Sequence, residues 1–150
     1  MSDKPSRTAI RAWARLLKAQ RIALDVVESA LKAARLPPLV WYDVLLEVER
    51  AGETGVRPFE LERAMLLAQY NLSRLIDRIE SEGYIERRTC PDDRRGQTVH
   101  ITQSGRAIRR RMWPVYARAI ESVIGQRLNA REAGKLAEML GKIIAPGSGA

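Results

Sequence analysis

The chain has 150 residues, 45% apolar and 29% charged, with 10 Gly and 7 Pro, a globular composition that excludes a disordered tail or a fibrous repeat. At this length roughly 70% of the surface of the unfolded chain can be buried, so one compact domain or two small entwined ones hold together without covalent staples. The single Cys90 and single His100 exclude an intramolecular disulfide, a Cys/His zinc cluster and a Cys/His nucleophile pair. The formal net charge is +8, and 21 of the 26 cations are Arg, whose planar fork suits phosphate and base edges better than a Lys point charge. That charge is concentrated: residues 84–111 hold eight Arg and three acids, an excess of five positive charges in 28 residues. The first residues lack an apolar signal region, and no stretch approaches the roughly 18 uninterrupted apolar residues of a membrane span, so a cytoplasmic protein with no membrane partner is expected.

Apolar residues at Ile10, Trp13, Leu17, Leu24, Val27 and Leu31 keep a helical spacing and predict one long amphipathic helix over 7–34. Leu36-Pro37-Pro38 ends it, because Pro removes a donor and restricts the residue before it. Val40, Val44, Leu45 and Val48 predict a second helix over 39–51, closed by Gly52-Glu53-Thr54-Gly55. Pro58 suits a helix first turn, and Phe59, Leu61, Ala64 and Met65 predict a short third helix. A fourth is expected over 69–82, with Leu72, Leu75, Ile76 and Ile79 inward, Arg74, Asp77, Arg78, Glu80 and Glu82 outward, and Gly83 as its stop.

The only β-rich runs, 84–89 and 98–102, flank a charged, turn-rich stretch at 91–96, which predicts a β-hairpin with a protruding tip. Ser104 reads as the N-cap of a helix reaching about Arg127 and bent by Pro114. Asn129 reads as the cap of a last helix, ahead of a frayed tail at 146–150.

Two short helices, a tight turn, a longer amphipathic helix and a basic hairpin follow the order of a winged helix-turn-helix, whose second helix enters the major groove. Gln69, Tyr70, Asn71 and Arg74 begin the polar face of the fourth helix, where side chains reach base edges. Gln and Asn pair bidentately with adenine and Arg with guanine, each worth about 1–3 kcal/mol of discrimination. Arg94 and Arg95 at the hairpin tip suit a narrow, electronegative minor groove, and Arg78 and Arg88 complete the candidate DNA-binding set. The plain alternative for the helix is a solvated face.

The residues 93–105 meet the wing pattern Asp-x-Arg-x-x-x-Val-x-Leu-Thr-x-x-Gly, with Ile101 in place of Leu. Upstream, 72–80 and 82–87 follow the stretch Ser-Arg-Leu-x-x-x-Leu-Glu-x-x-Gly-hydrophobic-hydrophobic-x-Arg, and 41–46 looks like the helix before it. On these motifs the chain resembles the MarR family of bacterial transcriptional regulators, most strongly over 39–105. The resemblance implies a mainly α fold with a small β-hairpin, in which a winged helix-turn-helix (37–103) is inserted between an N-terminal dimerisation helix (1–36) and C-terminal dimerisation helices (104–150). It also implies that Asp93 braces Arg95, and that a homodimer reads a pseudo-palindromic operator with half-sites about one turn, or ~34 Å, apart. Broad apolar faces on the first and last helices independently call for a partner surface.

Family effectors are commonly small phenolic or other aromatic acids bound between the dimer helices and the winged domain, which makes Trp13, Trp41 and Tyr42 ligand candidates; core packing is the simpler role for each. Two departures stand out: Leu66 where the turn often has Gly, and Ala68 where a Ser or Thr cap, worth about 1 kcal/mol, is usual. No cofactor is expected. His100, alternating with Val99 and Ile101, is expected on the outer face of the wing strand, as a solvated residue or a phosphate neighbour. Asp77 and Glu80, spaced three apart among Arg, read as surface ion-pair partners and not as an acid/base couple, which argues against an enzyme. The sequence therefore points to a homodimeric, sequence-specific regulator, a repressor released by a small ligand. The alternatives are a sequence-tolerant architectural DNA binder or a redox regulator working through Cys90.

Overall fold

The computed structural model describes residues 3–67, 71–90 and 93–145, the side chains of 93–95 excepted. In chain order the elements are α1 (Arg7–Ala33), α2 (Leu39–Ala51), a 3-10 turn (Gly52–Thr54), α3 (Pro58–Ala64), α4 (Leu72–Ser81), β1 (Ile85–Cys90), β2 (Asp93–Ile101), α5 (Gln103–Ile120), a π-helical turn (Glu121–Gly125) and α6 (Ala130–Ile144). The fold is mainly α with one antiparallel hairpin, as expected. The chain divides into two compact units, one of Met1–Ser29 with Tyr116–Ala150 and one of Ala30–Val115.

Within Ala30–Val115 the core is continuous. Val44, Leu45 and Val48 of α2, Leu61 of α3, Ile76 and Ile79 of α4, Ile85 and Val99 of the hairpin and Met112 of α5 are all sealed from solvent. Each fully buried aliphatic side chain contributes roughly 1.5–3 kcal/mol, so these elements are held as one body. The hairpin register runs from Ile85 opposite Ile101 to Thr89 opposite Gln97, then shifts so that Cys90 faces Asp93. Val56 adds a third rung: its N–H donates to Val99 O at 3.1 Å, and its carbonyl accepts Val99 N–H at 2.8 Å.

Several boundaries differ from the sequence expectation. β2 begins at Asp93 and so takes in backbone that the turn-rich composition assigned to a loop. Backbone pairing needs no apolar side chain, and a register set by Ile85 and Ile101 carries outward through polar residues. The cap of α5 is Thr102 and not Ser104: Thr102 Oγ accepts Gly105 N–H at 3.0 Å and donates to Gly83 O at 2.6 Å. Gly105 is required there, since a Cβ would collide with the Tyr84 carbonyl. α5 runs through Pro114 but leaves regular geometry at Glu121, where Gly125 makes room for the Glu121 carboxylate. The last helix starts as expected, with Asn129 Oδ1 accepting Glu132 N–H at 2.8 Å and Glu132 returning a bond to Asn129 N–H at 3.1 Å. The tail at 146–150 lies outside the described residues. Among the described residues, no helix is long and apolar enough to cross a membrane.

Candidate nucleic-acid interface

α4 lies on the core through Leu75, Ile76 and Ile79 and turns Arg74, Asp77 and Arg78 to solvent. Its first residue is Leu72, later than the expected start at 69, and the cap is Asn71, whose Oδ1 accepts Arg74 N–H at 3.1 Å. The cap missing at Ala68 is thus supplied three residues on. Adenine pairing by Asn71 would call on the same oxygen, so reading and capping compete at this residue. Gln69 and Tyr70, with Ala68, lie outside the described residues.

After α3, next to Leu66 at the position where a glycine is often found, the backbone is held at Leu67 by a residue that the sequence pattern did not single out. Asp43 of α2 is only 4% exposed, and its Oδ2 accepts Leu67 N–H at 2.8 Å. A charge-assisted bond of this kind fixes the turn backbone from behind, while Leu66 projects into solvent.

The arginines of 84–111 fall into distinct sets. Arg87 turns inward onto α4: Nη1 donates to Glu80 Oε1 at 2.7 Å, Nη2 to Asp77 Oδ1 at 2.5 Å, and its backbone N–H to Glu80 Oε2 at 2.9 Å. Burial pulls this guanidinium down, but Asp77 and Glu80 outweigh it and its pKa is raised. Asp77 and Glu80 are therefore ion-pair partners as expected, but of a strand arginine. Arg88 stays exposed and bonds Glu86 through Nε at 2.9 Å and Nη2 at 2.5 Å. On α5, Arg109 grips Glu49 and donates from Nη1 to Tyr42 OH at 3.4 Å, with Arg106 3.9 Å from the same carboxylate. Arg74, Arg78, Arg110 and Arg111 are exposed. The backbone of Arg94 and Arg95 belongs to β2; their side chains, and the bracing of Arg95 by Asp93, lie outside the description.

His100 corrects the outward reading. It is 6% exposed, its Nε2 lies 2.8 Å from Thr98 Oγ, and its ring packs beneath Gly55, where any Cβ would strike it. Pairing of Val56 with Val99 lays the preceding backbone over this face, and Gly55, at φ 71°, leaves room for the imidazole. Burial, then the nearby Arg88, push the His100 pKa down, while Glu86 opposes them. Cys90 is a half-buried free thiol, 4.0 Å from Arg57 Nη2.

The aromatic candidates have separate surroundings. Tyr42 is buried against Trp113, with ring centroids 6.2 Å apart and planes at 22°, and the Arg109 guanidinium lies 5.9 Å from its centroid. Trp41 meets Tyr84 edge-on, also at 6.2 Å. Trp13 is 64% exposed on α1, in the other unit.

A pinned turn, a capped helix with one sealed and one polar face, and a two-stranded hairpin braced by Val56 define a winged helix-turn-helix. The model of the MarR family matches residues 36–96. The multiple antibiotic resistance protein MarR of Salmonella typhimurium is 30% identical over 103 residues, covering 69% of this chain and 70% of the relative. The chain belongs to the MarR family of transcriptional regulators. Solved structures share the fold. A MarR family regulator from Streptomyces coelicolor, in complex with DNA, superposes at a TM-score of 0.86 with 23% identity, over 99% of this chain and 95% of its own. BpsR of Bordetella bronchiseptica, whose DNA binding is regulated by 6-hydroxynicotinic acid, gives a TM-score of 0.81 with 20% identity, over 94% of this chain and 98% of its own.

Proposed function

We propose that this protein is a homodimeric repressor that reads a pseudo-palindromic operator and is released by a small aromatic acid. The observation that carries the reading is α4, which is sealed against the core on one side and offers Arg74 and Arg78 one turn apart on the other, joined directly to a wing that carries Arg94 and Arg95. Arg74, in the first turn, reaches base edges in the major groove with Gln69, Tyr70 and Asn71. Arg78 and Arg88 sit against phosphate, and Arg94 and Arg95 enter the adjacent minor groove. The DNA-bound relative from Streptomyces coelicolor supports this use of the fold.

Dimerisation rests on the helices flanking the winged domain, in 1–36 and 104–150. Ile10, Trp13, Leu17 and Ile22 of α1 and Met139, Ile143 and Ile144 of α6 are exposed in the single chain, an apolar surface that a second copy would cover. The ligand class is supported by the control of BpsR by 6-hydroxynicotinic acid. Trp13 on one unit, and Trp41 and Tyr42 on the other, are its candidate contacts, each to be substituted separately. A ligand lowers DNA affinity only by as much as it prefers the DNA-incompetent arrangement, and DNA must weaken the ligand by the same factor.

Selection of duplexes from a random-sequence pool, followed by anisotropy titration at matched salt, tests the reading. The selected duplex is expected to bind roughly 10³-fold or more tighter than a scrambled one. Equal affinities would replace the repressor with a sequence-tolerant architectural binder.

A further inference from the structure

Among the arginines of 84–111 whose side chains are described, Arg87 is the one bonded to α4. The connection from α4 to β1 is very short: Gly83, at φ 79°, donates to Glu80 O at 2.8 Å, and Tyr84 N–H reaches Ile79 O at 3.2 Å. Such a turn fixes where the strand begins, and Ile85 and Val99 hold the base of the hairpin in the core. Arg87, the third residue of β1, ties the strand to α4 beyond that base. One Glu80 oxygen takes its backbone N–H and the other takes Nη1, so the strand's main chain is tied as well as the side chain. Nη2 reaches one residue triplet back along the helix to Asp77, which shares the exposed stripe with Arg74 and Arg78. Two carboxylates on one helix thus grip one strand residue at three points, with the Arg87 side chain 22% exposed.

We propose that Arg87 is a positioning residue that sets the angle between α4 and the wing, so that both elements meet their grooves in a single register. The proposal deepens the DNA-binding reading above and rests on it. A wing that pivots would still attract phosphate, since its charge is unchanged, but would pair its minor-groove contact with the wrong major-groove step. A simpler role competes: Arg87 could do no more than neutralise Asp77 and Glu80, which would otherwise repel the DNA backbone.

The two roles separate in a charge-free variant. Arg87→Met alone leaves two uncompensated carboxylates, whereas Arg87→Met with Asp77→Asn and Glu80→Gln removes all three charges and leaves the protein one positive charge richer than the native chain. Affinities are measured for the duplex selected from the random pool and for its scrambled counterpart. Positioning predicts that the triple variant loses at least 10-fold in the ratio of selected to scrambled affinity, although it binds scrambled DNA as well as or better than the native protein. Recovery of the native ratio in the triple variant would leave only charge neutralisation and overturn the proposal. Arg87→Lys keeps the charge and the strand backbone bond, but a single ammonium cannot span both carboxylates as the guanidinium fork does. It should lose part of the same ratio, and a fully native ratio counts against positioning. A DNA-free readout keeps this test distinct from the test of function: residual dipolar couplings of the α4 and β1–β2 amides should fit one alignment tensor in the native protein and need two in the triple variant. One tensor for both proteins overturns the proposal even if no duplex is preferred, and absence of any preferred duplex for the native protein overturns the DNA-binding reading instead.

Discussion

Ala30–Val115 seals most of its large aliphatic side chains, from Val44 and Leu45 on α2 to Met112 on α5, whereas Met1–Ser29 with Tyr116–Ala150 buries only Val27 and Ala119 among its described apolar residues. The helical periodicity is equally regular in both. α1 repeats apolar residues every three or four positions just as α2 does, yet Trp13 and Leu17 face solvent while Val44 and Val48 do not. The contrast separates two things that an amphipathic stripe can mean: a face packed within its own chain, and a face awaiting another surface. The winged domain has what it needs for rigidity within itself, and the flanking helices do not.

The largest expected effect breaks that contrast directly. Leu17 is 46% exposed in the single chain, so Leu17→Glu costs little if that face stays in water. If a second copy covers it, the dimer loses two Leu burials of roughly 1.5–3 kcal/mol each, before any cost of burying charge. Light scattering should then move from near twice 16.9 kDa to the mass of a single chain, and operator binding should disappear with it. A variant that keeps the native mass would place the face in solvent. In the winged unit, Leu45→Ala should act in the opposite manner: about 2–5 kcal/mol of lost stability from the cavity, read by denaturant unfolding, with the assembled mass unchanged.

A finer division lies inside the winged unit, between helix and wing. Arg74→Ala should cost about 1–3 kcal/mol on the selected duplex and relax its base preference, with scrambled DNA little affected. Arg94→Ala should weaken both duplexes and reduce the slope of log affinity against log salt by about 1. Identical profiles for the two variants would erase the distinction between reading and anchoring.

What the sequence made legible was local. The bounds of α2 are legible to the residue because Pro37-Pro38 and the left-handed Gly52 punctuate it, and the start of α6 is marked by Asn129, to which the structure adds the reciprocal bond from Glu132. The order of helices and the hairpin followed from periodicity in the same way. What stayed hidden depends on residues far apart in the chain. Asp43 reads as one polar position in an apolar run, and nothing local marks the Leu67 N–H that it holds. The Arg-rich run looks uniform until Asp77, Glu80, Glu86 and Glu49 engage four of its members. His100 alternates as an outward residue should, and the Gly55 backbone, brought over it by the Val56 pairing, covers it.

That buried imidazole gives the smallest expected effect, and it tests whether the wing's outer face is truly closed. Folding lowers the His100 pKa from 6.5, chiefly by burial and then by Arg88, with Glu86 pulling the other way from the facing position on β1. Well above pH 6.5 the ring is neutral in both folded and unfolded chains and contributes no pH dependence. As pH falls from there, the unfolded chain takes up the proton first, so stability is lost progressively until the folded pKa is passed. Urea midpoints collected between about pH 8 and pH 5 should therefore decline more steeply for the native protein than for His100→Gln, which keeps a hydrogen-bonding group toward Thr98 and cannot titrate. Arg88→Met removes the second cause and should flatten the native decline in part, because the burial beneath Gly55 remains. Parallel curves for the native protein and His100→Gln would mean that the ring takes its proton as readily folded as unfolded, as a solvated residue does, and that the Gly55 backbone lifts away from the wing in solution.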